Sequence, residues 1–121
     1  MNNLLLVFLG GGLGSLLRYG ISEFIRVNFQ FIFPLATLCS NVISCIVLAI
    51  AVGVFNEKVM MNPSLKIFIL VGFCGGFSTF STFSYETVNL FKEGYSMYAM
   101  ANVVISLVTC IGIIYFLSKN L

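Results

Sequence analysis

A chain of 121 residues that is 60% hydrophobic, 8% charged and devoid of histidine excludes a soluble domain, which needs a polar exterior, and points to the bilayer as its solvent. Its net charge of +2 comes from scattered residues, so there is no basic patch for nucleic acid. No acid–base pair or cofactor motif stands inside the apolar segments, which argues against an enzyme.

Polar punctuation cuts the chain into four apolar segments at about 3–27, 33–55, 64–91 and 95–117. Each meets the ~20 residues that a helix needs to cross ~30 Å of hydrocarbon. The connections are short and leave no room for an extramembrane domain, so residues 1–121 read as one all-α integral membrane domain of four transmembrane helices. Cys39, Cys45, Cys74 and Cys110 all fall inside these segments without CxxC spacing. Neither disulfides nor a zinc site is expected.

The first segment begins at Leu4 without a basic n-region, and Arg18 stands where a cleavable signal would need small residues, so it is read as a span and not a leader. Arg18, beside Tyr19 and with Ser15 and Ser22 near its face, reaches either the interface or an aqueous vestibule. It can snorkel there or attract an anion. Glu23 and Arg26, three apart, read as a solvated pair.

In the second segment Thr37, Asn41 and Ser44 recur at i, i+4 and i+7, with Ser40 adjoining, and so share one helical face. The third segment is the most informative. Asn62 and Pro63 suit a helix start, since proline lacks the donor that would be unpaired there. Residues 72–84, GFCGGFSTFSTFS, hold three glycines, five small hydroxyl residues and four phenylalanines. Glycines 72, 75 and 76 lie about 12–18 Å along a helix counted from Ser64, close to the midplane. They predict a break there, exposing carbonyls for a cation and amides for an anion; the alternative is that they permit close helix packing. Phe80 and Phe83 share a face that Phe77 extends backwards, and the electropositive ring edges suit an anion. Ser78, Thr79, Ser81, Thr82 and Ser84 surround them with hydroxyls. Glu86 reads as an interfacial structural group.

In the fourth segment Asn102, Ser106 and Thr109 repeat the polar spacing. Two neutral polar stripes can desolvate an anion and release it, or can hydrogen-bond helix to helix. If four helices alternate, Lys58, Lys66 and Lys119 share the side of the N-terminus, against Arg26, Lys92 and the nearby Arg18. With the positive-inside bias so weak, insertion both ways round is expected as readily as a single orientation. An antiparallel dimer would add the enclosed volume that four helices lack.

The segments GGGLGSLLRY at 10–19, PLATLCSN at 34–41 and GFCGGFSTFSTFSYE at 72–86 resemble the small dual-topology fluoride channels known as Fluc or CrcB, in order and over essentially the whole chain. The resemblance implies an antiparallel dimer in the cell membrane, with two pores that carry fluoride passively out of the cytoplasm and relieve its toxicity. By position it implies that Phe80 and Phe83 contact fluoride, that Asn41 donates a hydrogen bond, and that Ser81 and Thr82 join a polar track with Asn102 and Ser106. Arg18 would stand near the pore entrance. A structural sodium ion at the dimer centre would be bound by backbone carbonyls of Gly75 and Ser78, a ligation suited to a hard cation.

The chain departs from that pattern at Ala36, where a glycine is usual, at Ser40, where an aliphatic residue is, and at Cys110 and Ile114, where the fourth helix often carries hydroxyls. Either the track relies on Asn102, Ser106 and Thr109, or this subunit needs a paralogous partner in a heterodimer. A small proton-coupled multidrug exporter would need a membrane carboxylate in the first helix, and residues 4–22 contain none. A membrane scaffold would not need the phenylalanine and hydroxyl track.

Overall fold

The structure, a computed structural model, describes residues 2–57 and 62–120; Lys58, counted in the charge balance above, lies outside them. The described residues are helical nearly throughout: α1 (Asn3–Asn28), α2 (Leu35–Glu57), α3 (Pro63–Lys66), a π-helical stretch (Ile67–Phe73), α4 (Cys74–Phe77), α5 (Phe80–Lys92) and α6 (Ser96–Asn120). Four spans are long and apolar enough to cross a membrane, with α3 to α5 together making the third. The protein is a multi-pass integral membrane protein.

The helix ends follow from local chemistry. Asn2 caps α1, its Oδ1 accepting from Leu4 N at 2.8 Å. As its sequence predicts, Asn62 caps α3 by accepting from Ser64 N at 2.9 Å, and Pro63 takes the first helical position. Each cap satisfies an amide that the helix itself cannot. At the other end of the third span Tyr95 N donates to Leu90 O and Gly94 N to Phe91 O, with Gly94 at φ 87°. This is the Schellman arrangement, and its left-handed position favours glycine.

Helix α1 packs chiefly on the arm made of α3, the π stretch and α4, while α2 packs on α6. Small residues make the first contact possible. A Cβ added to Gly14 would collide with the carbonyl of Phe73, and one added to Gly76 with the carbonyl of Gly11; at Gly10 it would come within 2.5 Å of Phe68 O. Backbones approach this closely in membranes because dispersion, not hydrophobic burial, drives helices together there.

That seam corrects the reading of the third-segment glycines. Gly72 lies within the π stretch and Gly76 within α4, both helical and both against α1. They serve packing, and the chain leaves helical geometry only afterwards, at Ser78. The exposed Glu23–Arg26 pair does form, at 2.7 Å.

Candidate functional site

Between α4 and α5 the backbone is extended for two residues, Ser78 (φ −84°, ψ 157°) and Thr79 (φ −152°, ψ 120°). Such a segment leaves carbonyls at the end of one helix and amides at the start of the next without helical partners. Inside a bilayer these must be satisfied by protein or line a cavity.

Neighbouring side chains satisfy most of them. Cys74 O accepts from Ser78 N at 3.0 Å, Ser78 Oγ at 2.8 Å and Ser44 Oγ at 3.1 Å. Gly76 O accepts from Arg18 Nε at 3.1 Å and Ser15 Oγ at 3.5 Å. A guanidinium at a helix C-terminus also offsets the negative end of the dipole. Asn41 Oδ1 accepts from Thr79 N at 2.7 Å while its Nδ2 donates to Thr79 O at 3.2 Å. In an unbroken helix Thr79 N would instead reach Gly75 O. Thr79 Oγ1 then caps α5 by accepting from Thr82 N at 3.1 Å.

Two cavities meet at this segment, and Thr79 lines both. The first, of about 220 Å³, brings together Asn41, Ser78, Phe80, Phe83 and Ser106. The Phe80 and Phe83 rings sit 5.6 Å apart and tilted by 43°; Phe83 is buried at 8% exposure, whereas Phe80 is 74% exposed. The N-terminus of α5 opens here with its partial positive charge. The second cavity, of about 110 Å³, is polar, with Arg18, Thr37, Ser40, Thr82 and Glu86 on its walls. Ser40 Oγ and Glu86 Oε1 are buried there without hydrogen-bond partners.

The residues singled out from the sequence thus separate into three places. Asn41, Phe80, Phe83, Ser78 and Ser106 share the first cavity, and Arg18 and Thr82 the second. Ser81 is exposed, its hydroxyl 3.3 Å from that of Thr79. Gly75 has open space over its Cα and borders a smaller cavity with Ser44 and Ser78. Asn102 stands off the first cavity, buried and bonded through Nδ2 to Thr87 Oγ1 at 2.9 Å and through Oδ1 to the Ser106 hydroxyl at 3.2 Å.

Phe77 does not extend the Phe80–Phe83 row. It precedes the extended pair, is fully buried and packs edge-on against Phe73 at 5.5 Å. The change of direction at Ser78 breaks the helical register on which the row depended.

Sequence reasoning missed Thr87, although it stands four residues beyond Phe83 on the same face and donates to Phe83 O at 2.8 Å. It also left Glu86 at the interface, whereas that side chain lines the second cavity. Cys110, whose place the sequence left open, lies on the wall of the first, opposite Cys45.

Residues 5–117 match the model of the family described as CrcB-like protein, Camphor Resistance (CrcB). Among characterised proteins, the chain is 41% identical over 108 residues to the Fluoride-specific ion channel FluC of Serratia proteamaculans, covering 88% of this chain and 84% of that one. It is 42% identical over 111 residues to the protein of the same name from Pyrococcus abyssi, covering 92% and 89%. For that of Shewanella piezotolerans the identity is 41% over 117 residues, covering 95% and 92%.

Proposed function

The chain belongs to the CrcB family, and from that premise we propose that it is a passive, fluoride-selective ion channel that lets fluoride leave the cytoplasm. The observation that carries this reading is the convergence, at Ser78–Thr79, of a helix N-terminus, two phenylalanine rings and neutral donors around a cavity. Fluoride is small and strongly hydrated, so a path must replace its water by fixed donors without holding it.

The parts have distinct roles. Arg18 raises the local concentration of anions at the polar cavity. Thr82 and the unpaired hydroxyl of Ser40 supply donors in place of water. Asn41 spends one Nδ2 proton on Thr79 O and keeps a second for an ion in the first cavity. The edges of Phe80 and Phe83 present positive quadrupole density to the anion, and Ser81 and Ser106 continue the donors on either side. Asn102 orients Ser106 through its Oδ1. Conduction is downhill, since neither cavity holds an acid–base relay that would couple the ion to protons.

Assembly as an antiparallel dimer is part of the same proposal. Near-balanced charge permits both orientations, and Phe80, so exposed in one protomer, gains a second wall from another copy. The carbonyls of Gly75 and Ser78 fit a hard cation: Asn41 has taken the amide that Gly75 O would otherwise accept from, and no side chain overlies Gly75. Sodium bound there would supply positive charge at the dimer centre.

Fluoride efflux from liposomes holding only this protein, with chloride as control and Phe80→Ile as the matched variant, tests the reading. Fast, fluoride-selective efflux that the variant loses supports it. No efflux from folded wild-type protein sinks the self-sufficient channel in favour of a heterodimer with a paralogue.

A further inference from the structure

One pair of reactive side chains in the first cavity has no part in the conduction scheme. Cys45 on α2 and Cys110 on α6 both line it beside Phe80, Phe83 and Ser106, on helices packed directly together. The two thiols stand within hydrogen-bonding reach of one another. Both are free and only partly buried, so a solute in the cavity can reach them. Among the described residues no group of three or more histidine, cysteine or acidic side chains is placed to hold a metal. That disfavours a four-coordinate zinc centre but not a cation content with two sulfur ligands, and thiolates select soft ions such as Cu(I).

We propose that Cys45 and Cys110 form a two-thiolate site for a soft monovalent d10 cation, Cu⁺ or Ag⁺, and that its occupancy blocks the cavity. Binding breaks two S–H bonds, forms two sulfur–metal bonds and releases two protons to water; no electrons are transferred. A neutral pair of thiols becomes a complex of charge −1. In a weakly polar surrounding that charge repels an approaching anion strongly, and the bound ion also takes up part of a cavity of only about 220 Å³. The blocking effect rests on the proposed anion path; the binding does not.

Titration of the purified protein with Cu⁺ buffered by the chromophoric chelator bicinchoninate tests the site without reference to transport. The expected result is one ion per chain, near-ultraviolet thiolate-to-metal absorption, and affinity rising about a hundredfold per pH unit while both thiols are protonated, as release of two protons requires. Cys45→Ser and Cys110→Ser should each abolish binding, and Cys39→Ser and Cys74→Ser should retain it. In liposomes, the same cation should stop at least nine-tenths of the wild-type fluoride flux and little of whatever flux each binding-deficient variant retains. Copper binding that survives the double Cys45→Ser, Cys110→Ser variant overturns the site. Binding with the expected dependence but undiminished flux overturns the block, and a wild-type protein that carries no fluoride at all sinks the channel reading while leaving the titration to stand on its own.

Discussion

Asn41 and Thr79 exchange two hydrogen bonds, amide nitrogen to Oδ1 at 2.7 Å and Nδ2 to carbonyl at 3.2 Å, so a side chain of α2 stands in for the helical partners of a residue in the third span. Replacing Asn41 by alanine strands both backbone groups of Thr79 in a partly buried setting, at about 1–3 kcal/mol each. The expected outcome is a lower unfolding midpoint in detergent together with loss of fluoride flux. Asn41→Asp keeps the acceptor and loses the donor, and should fall between the two; an alanine variant as stable as the parent would refute the bracing role.

Phe80 and Phe83 differ in burial, and their variants should differ accordingly. Phe80→Ile leaves stability within about 0.5 kcal/mol, as at other exposed positions, and lowers flux at least tenfold, or about 1.4 kcal/mol in barrier. Phe83→Ile changes the shape of a buried side chain and adds about 1–3 kcal/mol of destabilisation. Paired melting and efflux measurements separate the two effects.

Alanine at Gly14 or Gly76 has backbone carbonyls in its way. Either substitution forces α1 off the third span and should cost about 1–3 kcal/mol or more. Gly12, with nothing near its Cα, is the control, and Gly12→Ala should be neutral or stabilising by up to about 1 kcal/mol. Melting curves of the three variants in one detergent decide.

Arg18 binds the Gly76 carbonyl and faces the polar cavity. Arg18→Gln should lower flux most at low ionic strength, because screening already weakens the attraction at high salt. Arg18→Lys should recover the salt dependence while still losing the Nε contact. Efflux rates between about 10 mM and 300 mM inert salt provide the check; a glutamine variant with an unchanged salt slope would assign Arg18 to packing alone.

Asn102 stands behind the cavity wall, tied to Thr87 and Ser106. Asn102→Ala leaves Thr87 and Ser106 short of a partner and should destabilise by about 1–3 kcal/mol, with a smaller fractional loss of flux than Phe80→Ile gives. The reverse ranking would move Asn102 into the ion's path.

The four spans and the helix start at Pro63 could be read from hydropathy and cap chemistry, because both signals are local. The polar faces of α2 and α6 could be read from spacing. What glycines 72, 75 and 76 do could not: a glycine that permits contact and one that permits a break look alike until the facing helix is placed, and here α1 supplied glycines of its own at 10, 11 and 14. The interruption fell instead on Ser78 and Thr79, where Asn41 offers a rival partner for the backbone. Phe77 was misassigned because its row was extrapolated through a change of direction. Thr87 escaped notice because a lone threonine one turn past a phenylalanine reveals nothing until Asn102 meets it from another helix.

Between Ile67 and Phe73 the third span runs as a π-helix, closing with Cys74 N on Ile69 O. An i→i+5 turn holds one residue more than an α turn, so this arm carries a surplus residue relative to an α-helix of the same reach. Deleting any single residue there would let the stretch relax to α geometry and rotate everything downstream by about 100°. Gly76 would swing away from α1, the Gly76 carbonyl away from Arg18, and Thr79 away from Asn41. The number of residues before the site is therefore as much a part of its specification as their identity, and insertions or deletions should be far less tolerated between Pro63 and Phe77 than substitutions of one aliphatic residue for another.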